Sequence, residues 1–338
     1  MAKKKTSFFN KIVFLINTIF AIGLVMAFLL PYLSPKEFGV ISLLSLLVPI
    51  LIVANILFVL YWIMIGFKKQ MLQSFIVLVI SYFFLPPLYI FNNDQTSIKK
   101  ETISLMTYNV RKFNLYGWLD ITNIEDEIKQ VIIDENPDIV AIQEYRNFDK
   151  FNLKYPFSSK KITDKNVPSS LVIYSKYPII NKGNIASNSR AIYVDIVKKN
   201  DTLRIYNFHL ETTGVVPEED YIGIKKSEKL IKRLRNSFKS QQEQIEVLNK
   251  HIKESKYKVI VVGDMNNTAY SWAYKNLRNN FKDTFLEAGE GFGKTYEFKK
   301  FPLRIDFIFT DKHFHVRSHE ILNVKYSDHY PVKAILEL

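Results

Sequence analysis

Three apolar runs without a charged side chain stand near the start of the chain: Ile12 to Leu30, Val40 to Phe67 and Met71 to Phe91. Each is near or above the ~20 residues that a helix needs to cross the hydrocarbon layer, so residues 1–91 are predicted to form three transmembrane helices. Met1 to Lys5 is basic, as a secretory leader would be, but the first run is too long for one and two more follow. Asn17, Asn55 and Ser81 are single polar residues within the runs and are expected to hydrogen-bond between helices. No run carries a charge, which argues against a transporter or channel.

The flanks give an orientation. Lys3, Lys4, Lys5 and Lys11 precede the first run, Lys36 is offset by Glu37, and Lys68 with Lys69 fill the second turn. The N-terminus and that turn are therefore expected in the cytoplasm, and three crossings place everything after Phe91 on the far side of a plasma (inner) membrane. The chain's net charge is +13. Seven basic residues and one acidic residue lie within positions 1–91, which leaves +7 for the rest. About half of the basicity is thus topogenic, and it cannot identify a partner. The chain has no Cys, so thiolate nucleophiles, Cys-held zinc and iron–sulfur clusters are excluded.

Beyond residues 92–101, read as a linker, 102–338 alternates short apolar runs with amphipathic stretches. Strands are predicted at Ser104–Asn109, Ile139–Gln143, Ser170–Ser175, Ala191–Val197, Thr202–His209, Val259–Gly263, Arg304–Thr310 and Val332–Leu336. Helical spacing of apolar residues marks Ile124–Glu135 and Leu230–Ile252. This pattern predicts a mixed α/β (α+β) sandwich of two sheets covered by helices, in one domain.

Polar groups collect where strands end. Asn109, Glu144 and His209 each close an apolar run, Asp264 and Asn266 follow Val-Ile-Val-Val-Gly, Asp306 lies in Arg-Ile-Asp-Phe-Ile-Phe, and Asp328 and His329 precede the last strand. Taken singly, each is an ordinary turn or surface residue. Together they would converge on one rim of a sandwich.

These segments resemble the endonuclease/exonuclease/phosphatase superfamily. The resemblance spans about Thr102 to Leu338 and rests on six motifs in order: Thr-Tyr-Asn-Val at 107–110, Pro-Asp-Ile-Val-Ala-Ile-Gln-Glu at 137–144, Asn-Phe-His-Leu at 207–210, Gly-Asp-Met-Asn at 263–266, Arg-Ile-Asp-Phe-Ile-Phe at 304–309 and Ser-Asp-His-Tyr-Pro-Val at 327–332. It implies a four-layer sandwich of two mixed β-sheets flanked by helices. It also implies Mg²⁺, with Mn²⁺ as substitute, on Glu144 with Asn109 and Asp328 nearby. Asp264 would position or deprotonate the attacking water, Asn266 would donate to the phosphate, and His209 and His329 would donate or exchange protons. Asp306 would hold the His329 tautomer, although a salt bridge to Arg304 is an equally simple use of it. Arg190 resembles a phosphate-facing arginine and equally reads as an exposed strand-end residue. Ser169 and Ser170 stand where deoxyribonuclease I offers a glutamate to its first histidine, which leaves the partner of His209 open.

Thr212 to Lys239, with Lys225, Lys226, Lys229, Lys232, Arg233, Arg235 and Lys239, reads as a basic lid, a face on anionic headgroups, or a solvated helix face. The expected function is a membrane-anchored Mg²⁺-dependent phosphoesterase cleaving phosphodiesters, nuclease-like by default. A phospholipase C-like lipid phosphodiesterase is the second reading, and a catalytically silent binding module the third. The expected partners are a phosphodiester substrate, in nucleic acid or a lipid headgroup, and the bilayer.

Overall fold

In the computed structural model the described residues are 7–66, 68–91, 101–146, 151–159, 170–186, 190–215, 223–298 and 301–338. Lys3, Lys4, Lys5, Lys99, Lys100, Ser169, all of the predicted linker but Glu101, and residues 216–222 of the basic segment lie outside them.

The N-terminal runs fold into α1 (Phe8–Ala27), α2 (Gly39–Ser42), α3 (Val48–Met64) and α4 (Met71–Phe84). Three crossings are not what results. Among the described residues one stretch, Phe8–Tyr32, is long and apolar enough to cross a membrane, and it qualifies equally as a signal sequence. Gly39–Leu46 and Val48–Met64 add a second candidate only if a 57° bend between them is one broken span. Pro49 at the start of α3 explains that break, since proline cannot continue a helix's hydrogen-bond ladder. The third run yields only 14 helical residues, about 21 Å against the ~30 Å hydrocarbon layer. It stops before Pro86 and Pro87, and Ile90 instead pairs with Gly291 in two backbone hydrogen bonds of 2.9 and 2.8 Å. One crossing keeps the expected side for residues beyond Phe91, and two reverse it.

The remainder forms two mixed six-stranded sheets flanked by helices. The strands are β1 (Thr102–Asn109), β2 (Ile139–Tyr145), β3 (Phe157–Ser158), β4 (Ser170–Ser175), β5 (Ile179–Asn184), β6 (Ala191–Lys198), β7 (Asp201–His209), β8 (Lys258–Asp264), β9 (Phe281–Asp283), β10 (Tyr296–Phe298), β11 (Phe301–Leu303), β12 (Asp306–Asp311), β13 (His315–Ile321) and β14 (Val332–Glu337). One sheet has the order β13-β14-β1-β2-β4-β3, the other β5-β6-β7-β8-β12-β9, and β10 and β11 make a separate hairpin. Between the sheets lies an aliphatic core that includes Leu105, Ala141, Val194, Ile205, Val262 and Ile308. The second face of the first sheet, with Met106, Val140 and Ile142, is covered by Ile124, Ile128 and Ile132 of α6 (Ile124–Glu135), reached after a turn, α5 (Arg111–Asn114). The second face of the other sheet packs on α7 (Ile224–Lys253) and α8 (Trp272–Arg278) through Ile245, Leu248, Ala273 and Leu277. A last short helix, α9 (Thr284–Ala288), follows β9.

The predicted strands all occur. The unpredicted ones are β3, β5, β9, β10, β11 and β13: four are two or three residues long, too short for an alternating pattern to register, while β5 and β13 are six- and seven-residue edge strands whose polar residues, Asn181, Lys182 and Asn184 in one and Arg317, Ser318 and Glu320 in the other, hide the apolar alternation. The N-terminal unit sits against the sandwich: Ser34 Oγ and the Lys36 N–H both donate to Gln242 Oε1 on α7, at 2.9 and 3.0 Å, and Lys36 pairs with Glu246 at 2.7 Å.

Candidate active site

Sheet register assembles the site. Within one sheet His209 lies opposite Asp264, and Asp264 opposite Asp306, so three strand ends carry their polar groups side by side. In the other sheet Asn109 pairs with Gln143, next to Glu144. The β2–β4 register breaks between Ile142 and Tyr145, and Glu144 has φ 51°, so a bulge turns this carboxylate out of the ladder. Gly263 has φ 145°, and a Cβ there would fall 1.9 Å from the Phe208 carbonyl oxygen, so only glycine fits this approach of β8 to β7.

Asp264 is fully buried. Its Oδ1 accepts the Asn266 N–H at 2.7 Å, and its Oδ2 accepts Asn109 Nδ2 at 2.9 Å and Asn266 Nδ2 at 3.2 Å. Burial pushes its pKa up to about 6, with the His329 charge opposing. His329 Nδ1 is 2.9 Å from Asp306 Oδ2 and its Nε2 3.7 Å from Asp264 Oδ2. Burial alone would lower this imidazole's pKa, but the Asp306 and Asp264 carboxylates outweigh it and raise it to about 10, so the ring is an imidazolium donor at neutral pH. His209 Nε2 stands 3.5 Å from Asp264 Oδ2 and 3.7 Å from Glu144 Oε1.

The expected site residues therefore come together. Arg190 stands beside them, its carbonyl accepting the His209 N–H at 3.0 Å and its guanidinium paired with Glu211 at 2.9 Å. The alternative use of Asp306, a bridge to Arg304, is not realised: Arg304 pairs with the buried Asp283 at 2.7 Å. Two carboxylates, Glu144 and Asp264, flank His209, whose partner was open.

Glu144, Asn109 and Asp328 form a hard, oxygen-bearing donor set that fits a Mg²⁺-type ion. Among the described residues the Glu144 carboxylate meets only Asn109 Nδ2 at 3.5 Å and His209, leaving it uncompensated at the cavity wall. Asp264, Asp306 and His329 also have ligand atoms within 4.8 Å of one another. There, however, the imidazolium occupies the centre, which suits that group to proton handling.

Several contributors were not foreseen. Arg111 and Lys112 line the cavity, and Arg111 reaches Asp328 Oδ2 at 3.3 Å and lies over the Trp118 ring. They sit in a left-handed turn, with φ from 41° to 56° at Arg111, Lys112, Phe113 and Asn114. Such a run is strained for L-residues; it is tied by the Arg111 N–H to Asn109 Oδ1 and by Asn114 to both backbone groups of Leu119. The Arg-Lys that follows Tyr-Asn-Val was the available signal. Behind the site, Gln143 Nε2 donates to Asn207 Oδ1 at 2.7 Å and Asn207 Nδ2 to the Ile142 and Val172 carbonyls, tying the two sheets together two residues before His209. Thr295 Oγ1 accepts the N–H groups of Ile305 and Asp306, and Gln241 Nε2 donates to the Glu211 and Asn266 carbonyls.

A family model for the Endonuclease/Exonuclease/phosphatase family matches residues 106–329, and one for a domain of unknown function, DUF8431, matches residues 10–88. No curated protein matches the chain. Among solved structures, an endonuclease/exonuclease/phosphatase from Bacteroides vulgatus is 22% identical with TM-score 0.54, covering 71% of this chain and 100% of its own. The human Nocturnin catalytic domain with bound sulfate is 19% identical with TM-score 0.51, covering 72% and 96%. Humanized D. rerio TDP2 is 15% identical with TM-score 0.51, covering 70% and 99%. At these identities the likeness is one of fold.

Proposed function

Since the chain belongs to the Endonuclease/Exonuclease/phosphatase family, whose members act on phosphoester bonds, we propose that it is a divalent-cation-dependent hydrolase of phosphodiesters held at a bilayer by residues 7–91. The observation that carries the chemistry is the chain Asp306–His329–Asp264 beside an uncompensated Glu144 at one cavity. Glu144, with Asn109 and Asp328, would hold the cation, which supplies positive charge to the phosphoryl oxygens. Asp264, with its pKa near neutrality, orients the attacking water and accepts its proton. His329, kept protonated and aligned by Asp306, donates to the phosphoryl group, as do His209 and Asn266; Arg111 and Lys112 add positive charge at the cavity wall.

Membrane seating is supported by an inside-out helical unit. Asn17 Nδ2 donates to Ser74 Oγ at 2.5 Å, Ser74 Oγ to Asn55 Oδ1 at 2.7 Å, and Trp62 Nε1 to Asn17 Oδ1 at 2.9 Å, all buried, while large apolar side chains face outward. This is how helices in lipid distribute polarity. Two of the three expected polar residues join that seam; Ser81 instead donates to the Val77 carbonyl of its own helix.

The test is hydrolysis of bis(p-nitrophenyl) phosphate by the full chain with Mg²⁺ or Mn²⁺. Glu144→Ala and His329→Ala are each expected to lower kcat by about 10²-fold or more. Full turnover in both variants would exclude this mechanism.

A further inference from the structure

The cavity above the catalytic groups encloses about 500 Å³, and part of its wall does not come from the sandwich. Glu144, Asn266, Asp328 and His329 contribute its polar side, whereas Leu46, Leu47 and Ile50 come from the N-terminal helical unit. Leu47 and Ile50 are 45% and 44% exposed although they stand at the site. Ile50 also begins a row on α3 with Val53, Leu57 and Leu60, all exposed. Their spacings of three, four and three residues place them on one face, so an apolar track runs along α3 to the cavity.

The wall is tied to the catalytic loop. Thr268, two residues beyond Asn266, donates its hydroxyl to the Ser45 carbonyl at 3.1 Å, next to Leu46. On α7, Gln241 holds the Asn266 carbonyl while its neighbour Gln242 accepts from Ser34 and Lys36 of the helical unit. A nucleic acid would bring charged phosphates on both sides of the scissile one; Arg111 and Lys112 could meet one of them, but the side formed by Leu46, Leu47 and Ile50 carries no donor side chain and would have to be dehydrated against the other. A hydrocarbon chain gains by covering it.

We propose that Leu46, Leu47 and Ile50 select an amphiphilic phosphoester, with its phosphate at the catalytic groups and its hydrocarbon chain on this wall and along the α3 track. The assignment rests on the phosphoesterase reading above. The shared chemistry is a phosphate esterified to an amphiphile whose hydrocarbon is an alkyl or a prenyl chain.

The test uses the full chain in bilayer nanodiscs with Mg²⁺ or Mn²⁺ and compares hexadecyl with methyl p-nitrophenyl phosphate. Both break the same bond: water's oxygen joins phosphorus and p-nitrophenolate leaves. The expected kcat/KM ratio favours the tailed ester by about tenfold or more, and Leu47→Ser combined with Ile50→Ser lowers that ratio by about tenfold. Ile50→Trp, which fills the wall without removing apolar surface, lowers the same ratio, and turnover of the methyl ester reports folding in each variant. A farnesyl ester in parallel separates prenyl from alkyl acceptance. Hydrolysis of both esters at one unchanged ratio in all variants overturns the proposal and leaves the phosphoesterase reading standing. Cleavage of a short oligonucleotide at rates matching the tailed ester, insensitive to the wall variants, overturns it in favour of a nuclease. Failure of the wild-type chain to hydrolyse even the methyl ester removes the phosphoesterase reading itself.

Discussion

The helical unit and the sandwich solve the burial problem in opposite senses. In the sandwich, Leu105, Ile205 and Ile308 are enclosed between sheets and polar groups collect at one rim. In the helical unit, Asn17, Asn55 and Ser74 are enclosed and Phe75, Leu57 and Phe83 face out. The hydrophobic effect sorts side chains by what surrounds the protein, so this inversion is the arrangement that the proposed bilayer seating of the helical unit calls for, with water around the sandwich. The catalytic cavity lies where the two arrangements meet, with a carboxylate–imidazole rim and a leucine wall in one enclosure.

The sandwich side of that comparison breaks most severely at Gly263. Gly263→Ala forces a Cβ onto the Phe208 backbone, and we expect a loss on the order of 4 kcal/mol in denaturant unfolding, with activity abolished. A variant with wild-type stability would mean that β7 and β8 approach differently.

The helical side is probed by Leu57→Lys, on the outward face of α3. If hydrocarbon covers that face, the substitution costs about 2.5–3.5 kcal/mol of insertion and shifts the chain out of the membrane fraction. Improved solubility without loss of membrane association would place water there and dissolve the comparison.

The smallest effect comes from His319, a basic group buried in the sandwich. Its Nδ1 lies 2.8 Å from Thr284 Oγ1, and burial pushes its pKa down to about 3. The folded state keeps it neutral while the unfolded chain binds a proton below about 6.5, so its stabilising contribution is full above 6.5 and declines as pH falls toward 3. The decline is about 0.7 kcal/mol per unit at pH 6.5 and steepens to about 1.4 kcal/mol per unit below about pH 5.5. His319→Gln should flatten the dependence of Tm on pH between 6.5 and 5; an unchanged slope would show that His319 titrates normally.

Legibility followed apolar periodicity more than element length, since the polar edge strands β5 and β13 are six and seven residues long and carry no clear alternation. The long strands β1, β7 and β8 announce themselves by apolar runs ending in Asn109, His209 and Asp264, and α6 by its four-residue apolar spacing. Long apolar helices are less legible than their hydropathy suggests, because hydropathy registers composition and not continuity: Met71 to Phe91 is apolar throughout, yet its helix ends at Phe84, ahead of two prolines, and Ile90 docks on Gly291. Arg111 and Lys112 look like ordinary loop cations until a left-handed turn carries them into the cavity. Arg190 reads from sequence equally as a phosphate-facing or a strand-end arginine, and the fold sets it beside His209 with its guanidinium paired to Glu211.

By itself the sequence determined which residues could do chemistry and in what order they lie, because strand ends and ordered motifs are local properties of the chain. It also determined that the first 91 residues cannot expose their surface to water without cost. Only the tertiary structure decided that Asp264 and Asp306 share a register pair around His329, that Glu144 is turned out by a bulge, and that Leu46, Leu47 and Ile50 stand over the catalytic loop. Those are long-range contacts, set by sheet register and by the packing of one unit on another, and no window of neighbouring residues contains them.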